Sequence, residues 1–204
     1  MSRLTFSINV TLDGCVDHQE GIVDDETHAH YTRLMDESGA LLWGRITYEM
    51  MEAYWPAVAR GDVDVSPATR EWALKLEAKP KYVASTTRSD FPWTNSHRVV
   101  GDLRTAVQEL KDQIPAGVLV GSCALATELD RLDLIDEYRF LLHPMIAGHG
   151  PTLYQGRTAH YPPPRPGVGG VARQRRGLDA LPTGRVRSAS RKYPLCGFMA
   201  LLGS

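Results

Sequence analysis

The stretch Ala40-Leu41-Leu42-Trp43-Gly44-Arg45-Ile46-Thr47-Tyr48-Glu49 is an apolar run that stops at Gly-Arg and restarts with helical character. Consecutive apolar residues of this kind suit a strand buried on both faces, as the strands of a parallel sheet are. The glycine lets a ligand approach the backbone. A helix opening there offers unpaired N–H groups and the positive end of its dipole to an anion. Arg45 adds a fork of donors matched to phosphate oxygens, and Thr47 adds a hydroxyl in the first turn. The same residues also read as a plain strand-to-helix turn in which Arg45 pairs with a surface carboxylate.

Working outward, Leu4 to Leu12 alternates as a strand, Glu26 to Glu37 suits a surface helix, and Ala40 to Trp43 is the strand just described. A helix is expected from about Thr47 to Tyr54. Another is opened by Ser66-Pro67 and runs through Leu76, because serine caps and proline tolerates the first helical position. Lys81 to Ser85 and Arg98 to Val100 are short strands, and Asp102 to Gln113 is an amphipathic helix. Val118-Leu119-Val120 is a buried strand ending in Gly121-Ser122, with a helix from Ala124 to Leu132 behind it. Glu137 to Pro144 is a strand that runs into the loop Ala147-Gly148-His149-Gly150-Pro151. This order predicts an α/β three-layer sandwich with a mostly parallel central sheet.

Ligands of such sheets sit outside the carboxyl ends of the strands. Three segments place suitable chemistry there: Gly44-Arg45-Ile46-Thr47, Ser85-Thr86-Thr87-Arg88 and Gly121-Ser122-Cys123-Ala124. Together they form a cradle for a dinucleotide, with Ser85, Thr86, Thr87 and Arg88 suited to a second phosphate; ordinary turn residues are the alternative for that cluster. The first strand is not followed by Gly-x-Gly-x-x-Gly, and no Gly-Lys-Ser/Thr is present, so an ordinary Rossmann domain and a P-loop are both disfavoured.

The net charge of −1 conceals a division of the 204 residues. Residues 157 to 204 carry eight arginines and one lysine against the single acid Asp179, a net of +8, whereas residues 1 to 156 carry a net of −9. The later part is crowded with breakers, as in Tyr161-Pro162-Pro163-Pro164-Arg165-Pro166-Gly167. A folded domain over 1–156 and a basic Pro/Gly/Arg-rich tail over 157–204 are therefore expected. Lacking interleaved aromatics or a motif, the tail reads as a poorly packed extension, so neither a nucleic acid nor a membrane is expected as a partner. No apolar run is long enough to cross a bilayer, and the opening residues lack a signal peptide's apolar core, which leads to a cytoplasmic expectation. Cys15, Cys123 and Cys196 are odd in number and widely spaced, and suggest packed residues rather than disulfides or a thiolate metal site.

Val10-Thr11-Leu12-Asp13-Gly14, Leu42 to Glu49, Lys81 to Thr87, Val120-Gly121-Ser122 and Leu134-Ile135-Asp136-Glu137-Tyr138, in this order, resemble the dihydrofolate-reductase-like superfamily. The resemblance is strongest to its branch related to the reductase domain of the bifunctional riboflavin-biosynthesis deaminase-reductase. It implies an NADPH-dependent reductase acting on a small heterocyclic, imine or carbonyl substrate, and a homodimer. It places Gly44, Arg45 and Thr47 at one phosphate-binding helix start. Ser85, Thr86 and Thr87 fall by the adenosine phosphate, and Val120, Gly121, Ser122, Ala124 and Leu125 by the pyrophosphate. Thr11, Leu12, Asp13 and Gly14 form the loop beside the nicotinamide. Members of the family end in two further strands, from which residues 157–204 depart; a shifted reading frame in a GC-rich gene is one origin of such a composition.

Hydride chemistry belongs largely to the cofactor, so the protein supplies orientation and a proton source. Asp13 is the candidate catalytic group, with a turn residue bonded to its own backbone as the alternative. His28 and His30, two apart on a helix, point to different faces, and no metal is expected. Trp43, Tyr48, Tyr54, Trp55 and Trp72 read as core beside a sheet. Asp130, Asp133, Asp136 and Glu137 read as a solvated helix end. A nucleotide-binding protein without turnover, and a nucleic-acid or membrane module using the basic tail, are the other function classes.

Overall fold

A computed structural model of the chain describes residues 2–21 and 24–153. The expected boundary after residue 156, the tail 157–204 and Cys196 lie outside the described residues. Among the described residues there are six strands: β1 (Leu4–Thr11), β2 (Ala40–Gly44), β3 (Lys81–Ala84), β4 (Ser96–Val99), β5 (Val118–Val120) and β6 (Glu137–His143). The helices are α1 (Asp25–Glu37), α2 (Arg45–Glu52), α3 (Trp55–Arg60), α4 (Pro67–Ala78), α5 (Leu103–Gln113) and α6 (Cys123–Arg131).

The strands form one sheet in the order β4-β3-β2-β5-β1-β6, and every strand pairing is parallel. The expected α/β sandwich is thus the observed fold. β5 inserts between β2 and β1, although 118–120 follow β4 in the chain. Both faces of the central strands are covered. On β1, Leu4, Phe6 and Ile8 are fully buried on one face, and Thr5, Ser7, Asn9 and Thr11 are buried on the other. Those polar side chains need partners, since a buried unpaired group costs about 1–3 kcal/mol. Ser7 donates to the Arg139 carbonyl at 2.9 Å, and Asn9 accepts from the Tyr31 hydroxyl at 2.5 Å. Burial pushes the Tyr31 phenol well up.

Three helices start as their sequences demand. Asp24, Ser66 and Asp102 cap α1, α4 and α5 by accepting from the amides of Thr27, Thr69 and Thr105. Each such cap contributes about 1 kcal/mol. The helix expected from Thr47 begins two residues earlier, at Arg45, and ends at Glu52. A separate short helix, α3, then starts at Trp55, because Pro56 has no N–H and fits only the first turn of a new helix.

The core is aromatic-rich as expected: Trp43, Tyr48, Trp55 and Trp72 are buried. Lys81, on β3, is fully buried as well. Its ammonium donates to the carbonyls of Leu76, Glu77 and Lys79 at 2.7, 3.2 and 2.8 Å, closing the carboxyl end of α4, and it lies 4.5 Å from the Trp93 ring centre. Burial pushes this ammonium down to about 8.

The acidic run departs from its reading as a solvated helix end. Asp136 accepts from the Leu4 amide at 2.7 Å and pairs with the buried Lys111 at 2.6 Å. Glu137 holds Arg139 at 3.0 Å, and Asp130 accepts from the Tyr138 hydroxyl. The run ties the start of β6 to β1 and α6, and the contacts of Asp136 with Leu4 and Lys111 join segments far apart in the chain that charge spacing does not reveal.

Candidate functional site

In the β2–β5 register Leu42 faces Val120, so the turns that follow both strands arrive side by side at one edge of the sheet. The Ser122 hydroxyl accepts from the Gly44 amide at 2.9 Å and donates to the Thr47 hydroxyl at 2.7 Å. Ser122 and Thr47 are both buried. This cross-link occupies the Ser122 hydroxyl, and α6 starts without a side-chain cap; α2, which starts after Gly44, has none either. Two helix starts without a side-chain cap therefore meet, whereas α1, α4 and α5 each have their first turn closed by a side chain.

A cavity of about 500 Å³ opens in front of them. Gly44, Arg45, Thr47, Ser85, Thr86, Thr87, Ser122, Ala124 and Leu125 line it together, so most of the residues expected to cradle a dinucleotide converge on one space. A Cβ on Gly44 would lie 3.8 Å from both Ser122 and Leu125, filling the floor between the two helix starts. Arg45 carries both readings of its sequence at once: it lines the cavity, and its Nη1 donates to Glu49 at 2.7 Å. Ser85 folds its own turn by accepting from the amides of Thr87 and Arg88 at 3.2 and 2.9 Å, which leaves Thr86 and Thr87 exposed at the mouth.

Arg88 is placed differently from the rest of its cluster. Its guanidinium grips Glu52 through two nitrogens at 2.8 and 3.2 Å, donates from Nε to the Asp90 carbonyl at 2.6 Å, and packs over Tyr48 and Phe91. It takes no part in the cavity wall.

Val120 and Gly121 lie behind the cavity and line a small interior space with Ser7, Tyr31 and Trp43. Thr11, Leu12, Asp13 and Gly14 lie at the end of β1, on the same edge of the parallel sheet but outside the cavity wall. There the Asp13 carboxylate accepts from the Thr11 hydroxyl at 2.5 Å and from the amides of Ala147 and Gly148 at 3.2 and 2.8 Å. The Thr11 hydroxyl, followed by these amides, lowers the Asp13 pKa to about 2. Asp13 thus ties the loop after β1 to the loop after β6. Nearby, burial pushes the His143 imidazole below its ordinary range, opposed by the charge of Asp24.

The cavity has an end that the motif reading left out. Val99, Gly101, Leu103 and Glu128 line it as well, adding apolar surface to that of Leu125. The signal was in the chain: Val99-Val100-Gly101-Asp102-Leu103 repeats the strand–glycine–helix pattern of the other two turns. Cys123 also lines the cavity, and burial pushes its thiol up to about 12. Among the described residues no three His, Cys, Asp or Glu side chains gather to hold a metal, and no helix is long and apolar enough to cross a membrane.

An all-parallel sheet with glycine-opened, uncapped helices converging at its carboxyl edge defines an α/β protein of the dihydrofolate-reductase-like fold. Residues 3–161 match the RibD C-terminal domain family, and the chain belongs to that family. It is 27% identical over 157 residues to the uncharacterised protein YyaP of Bacillus subtilis strain 168, covering 74% of this chain and 80% of that one. The fold is similar to that of a protein assigned to riboflavin biosynthesis from Shewanella sp. PV-4, with a TM-score of 0.55, 21% identity, and coverage of 74% and 82% of the two chains. It is also similar to a diaminohydroxyphosphoribosylaminopyrimidine deaminase/5-amino-6-(5-phosphoribosylamino)uracil reductase of Thermotoga maritima. That likeness has a TM-score of 0.52 and 17% identity, and covers 79% of this chain and 51% of the other.

Proposed function

We propose that this chain is an NADPH-dependent reductase that transfers hydride to a small heterocyclic or imine/carbonyl substrate, resembling the pyrimidine reductase of riboflavin biosynthesis. The observation that carries the reading is the convergence of the two uncapped helix starts, α2 and α6, on a single cavity that also holds Arg45 and the Ser85-Thr86-Thr87 turn. Membership of the RibD C-terminal domain family and the reductase named for the Thermotoga maritima neighbour support it.

In this reading the open N–H groups of α2 and α6 bind the pyrophosphate. Arg45, Thr86 and Thr87 bind the phosphate on the adenosine ribose, where a guanidinium fork matches its oxygens. Val99, Leu103 and Leu125 supply apolar walls for the adenine. NADPH, when bound, supplies the hydride. Thr11 to Gly14 border its reactive end, and Asp13 fixes that border: with a pKa of about 2 it is ionised at neutral pH and serves as an anchor for the 147–148 loop rather than as a store of a proton.

Fluorescence titration with NADPH and NADH tests the cradle, and NADPH oxidation screened against pterins, flavin precursors and small imines tests turnover. Saturable NADPH binding with turnover of one of these classes is the expected result. Binding without turnover would favour a nucleotide-binding protein, and failure of both dinucleotides to bind would defeat the reading.

A further inference from the structure

Among the described residues the cavity wall contains one guanidinium, that of Arg45, and its partner is Glu49, one helical turn along α2. Glu49 is shared. One carboxylate oxygen lies 2.7 Å from Arg45, and the other lies 3.7 Å from Arg88. Arg88 is held in turn by Glu52 at 2.8 Å. The four side chains form a row, Arg45–Glu49–Arg88–Glu52, whose formal charges cancel beside the mouth where Thr86 and Thr87 are exposed.

We propose that Glu49 is a specificity-determining residue that sets how strongly the site prefers the phosphorylated dinucleotide. The proposal rests on the NADPH reading of the cavity. A ribose phosphate and the Glu49 carboxylate compete for the same guanidinium, and a carboxylate this near Arg45 also repels a phosphate dianion. Arg88 makes the exchange feasible. When Arg45 turns to the phosphate, Glu49 retains a cation at its other oxygen and is not left unpaired. Arg88 itself is committed to Glu52, to the Asp90 carbonyl and to the Tyr48 and Phe91 rings, so it acts on the ligand only through Glu49. The native pairing thus weakens NADPH binding while leaving the unphosphorylated dinucleotide nearly untouched, and lowers the preference between them.

The test is the ratio of NADPH to NADH dissociation constants, measured by fluorescence titration on the full chain. In Glu49→Gln, whose amide oxygen still accepts from Arg45, the preference for NADPH is expected to rise roughly five- to tenfold, the size of one partly screened charge interaction. The gain is expected to shrink as sodium chloride is raised, and to be largely absent when Glu49→Gln is made in an Arg45→Met background. Glu49→Ala, scored after its fold is checked by circular dichroism, is expected to shift the ratio in the same direction. An unchanged or reduced ratio in both Glu49 variants, with NADPH still bound, overturns the proposal and leaves the reading of the cavity standing. An equal gain in the Arg45→Met background overturns the route through Arg45. Failure of the wild-type chain to bind either dinucleotide overturns the proposal and that reading together.

Discussion

The Ser122 hydroxyl accepts a hydrogen bond from the Gly44 amide at 2.9 Å, joining two turns 78 residues apart. It also donates to Thr47, so one buried oxygen fixes the spacing of the α2 and α6 helix starts. Without it, two helices whose first-turn N–H groups face the same space have no side-chain tie at that point.

Ser122→Ala removes an acceptor from a half-buried amide and a donor from a buried hydroxyl. A loss of about 2 kcal/mol in folding stability is expected, read by urea denaturation. NADPH affinity is expected to fall as well, because the two helix starts are no longer held in register. Wild-type stability in the variant would show that the cross-link contributes nothing.

Arg45→Gln deletes the guanidinium that lines the cavity while keeping a polar side chain of similar reach. NADPH affinity is expected to drop on the order of tenfold or more, the scale of one charge-assisted phosphate contact, and NADH affinity much less. Equal losses for the two dinucleotides in fluorescence titration would place Arg45 away from the ribose phosphate.

Asp13 has its folded pKa lowered to about 2 from the ordinary 3.8, so its contribution to stability is fully present above about 3.8 and is lost as the pH falls through 2. Across neutral pH no titration of Asp13 should appear in the rate profile. Asp13→Asn is expected to speed hydrogen exchange at the Ala147 and Gly148 amides, because one of its acceptor oxygens becomes an NH₂ group. Unaltered exchange at both amides would refute the anchoring role.

Lys81 has its folded pKa lowered from 10.5 to about 8, so between those values the unfolded chain binds more protons and the contribution of this group to stability rises with pH. At pH 7, Lys81→Met is expected to cost about 3 kcal/mol, because it strips the donor from carbonyls at the buried end of α4. The gap between wild type and variant should then widen from pH 8 to 10.5 in urea titrations. A gap that narrows over that range would contradict the sign.

Local chemistry in the sequence was sufficient for much of the fold. The run Ala40 to Trp43 identified a strand buried on both faces, and Ser66-Pro67 marked a helix start because serine places an oxygen three residues before an amide that needs one; the matching caps at Asp24 and Asp102 emerged with the structure. The Gly44-Arg45 and Gly121-Ser122 turns were legible as glycine-opened helix starts, because in each a short apolar strand run stops at the glycine. Pro56 was equally visible, but its effect of dividing a helix into α2 and α3 depended on the chain being able to turn at Ala53 and Tyr54.

The tertiary structure decided what meets what. Insertion of β5 between β2 and β1 brings Gly44 beside Ser122, and no pattern within either segment specifies that neighbour. The same holds for Asp136 on Lys111, for Arg88 turned away from the cavity onto Glu52, and for Val99 and Leu103 completing the wall. Periodicity and capping are set by contacts within a few residues, so the chain shows them directly. Strand order and the pairing of distant charges are set by how whole elements pack. In this protein that packing turns Gly44-Arg45-Ile46-Thr47 from one helix start among several into one wall of a shared cavity.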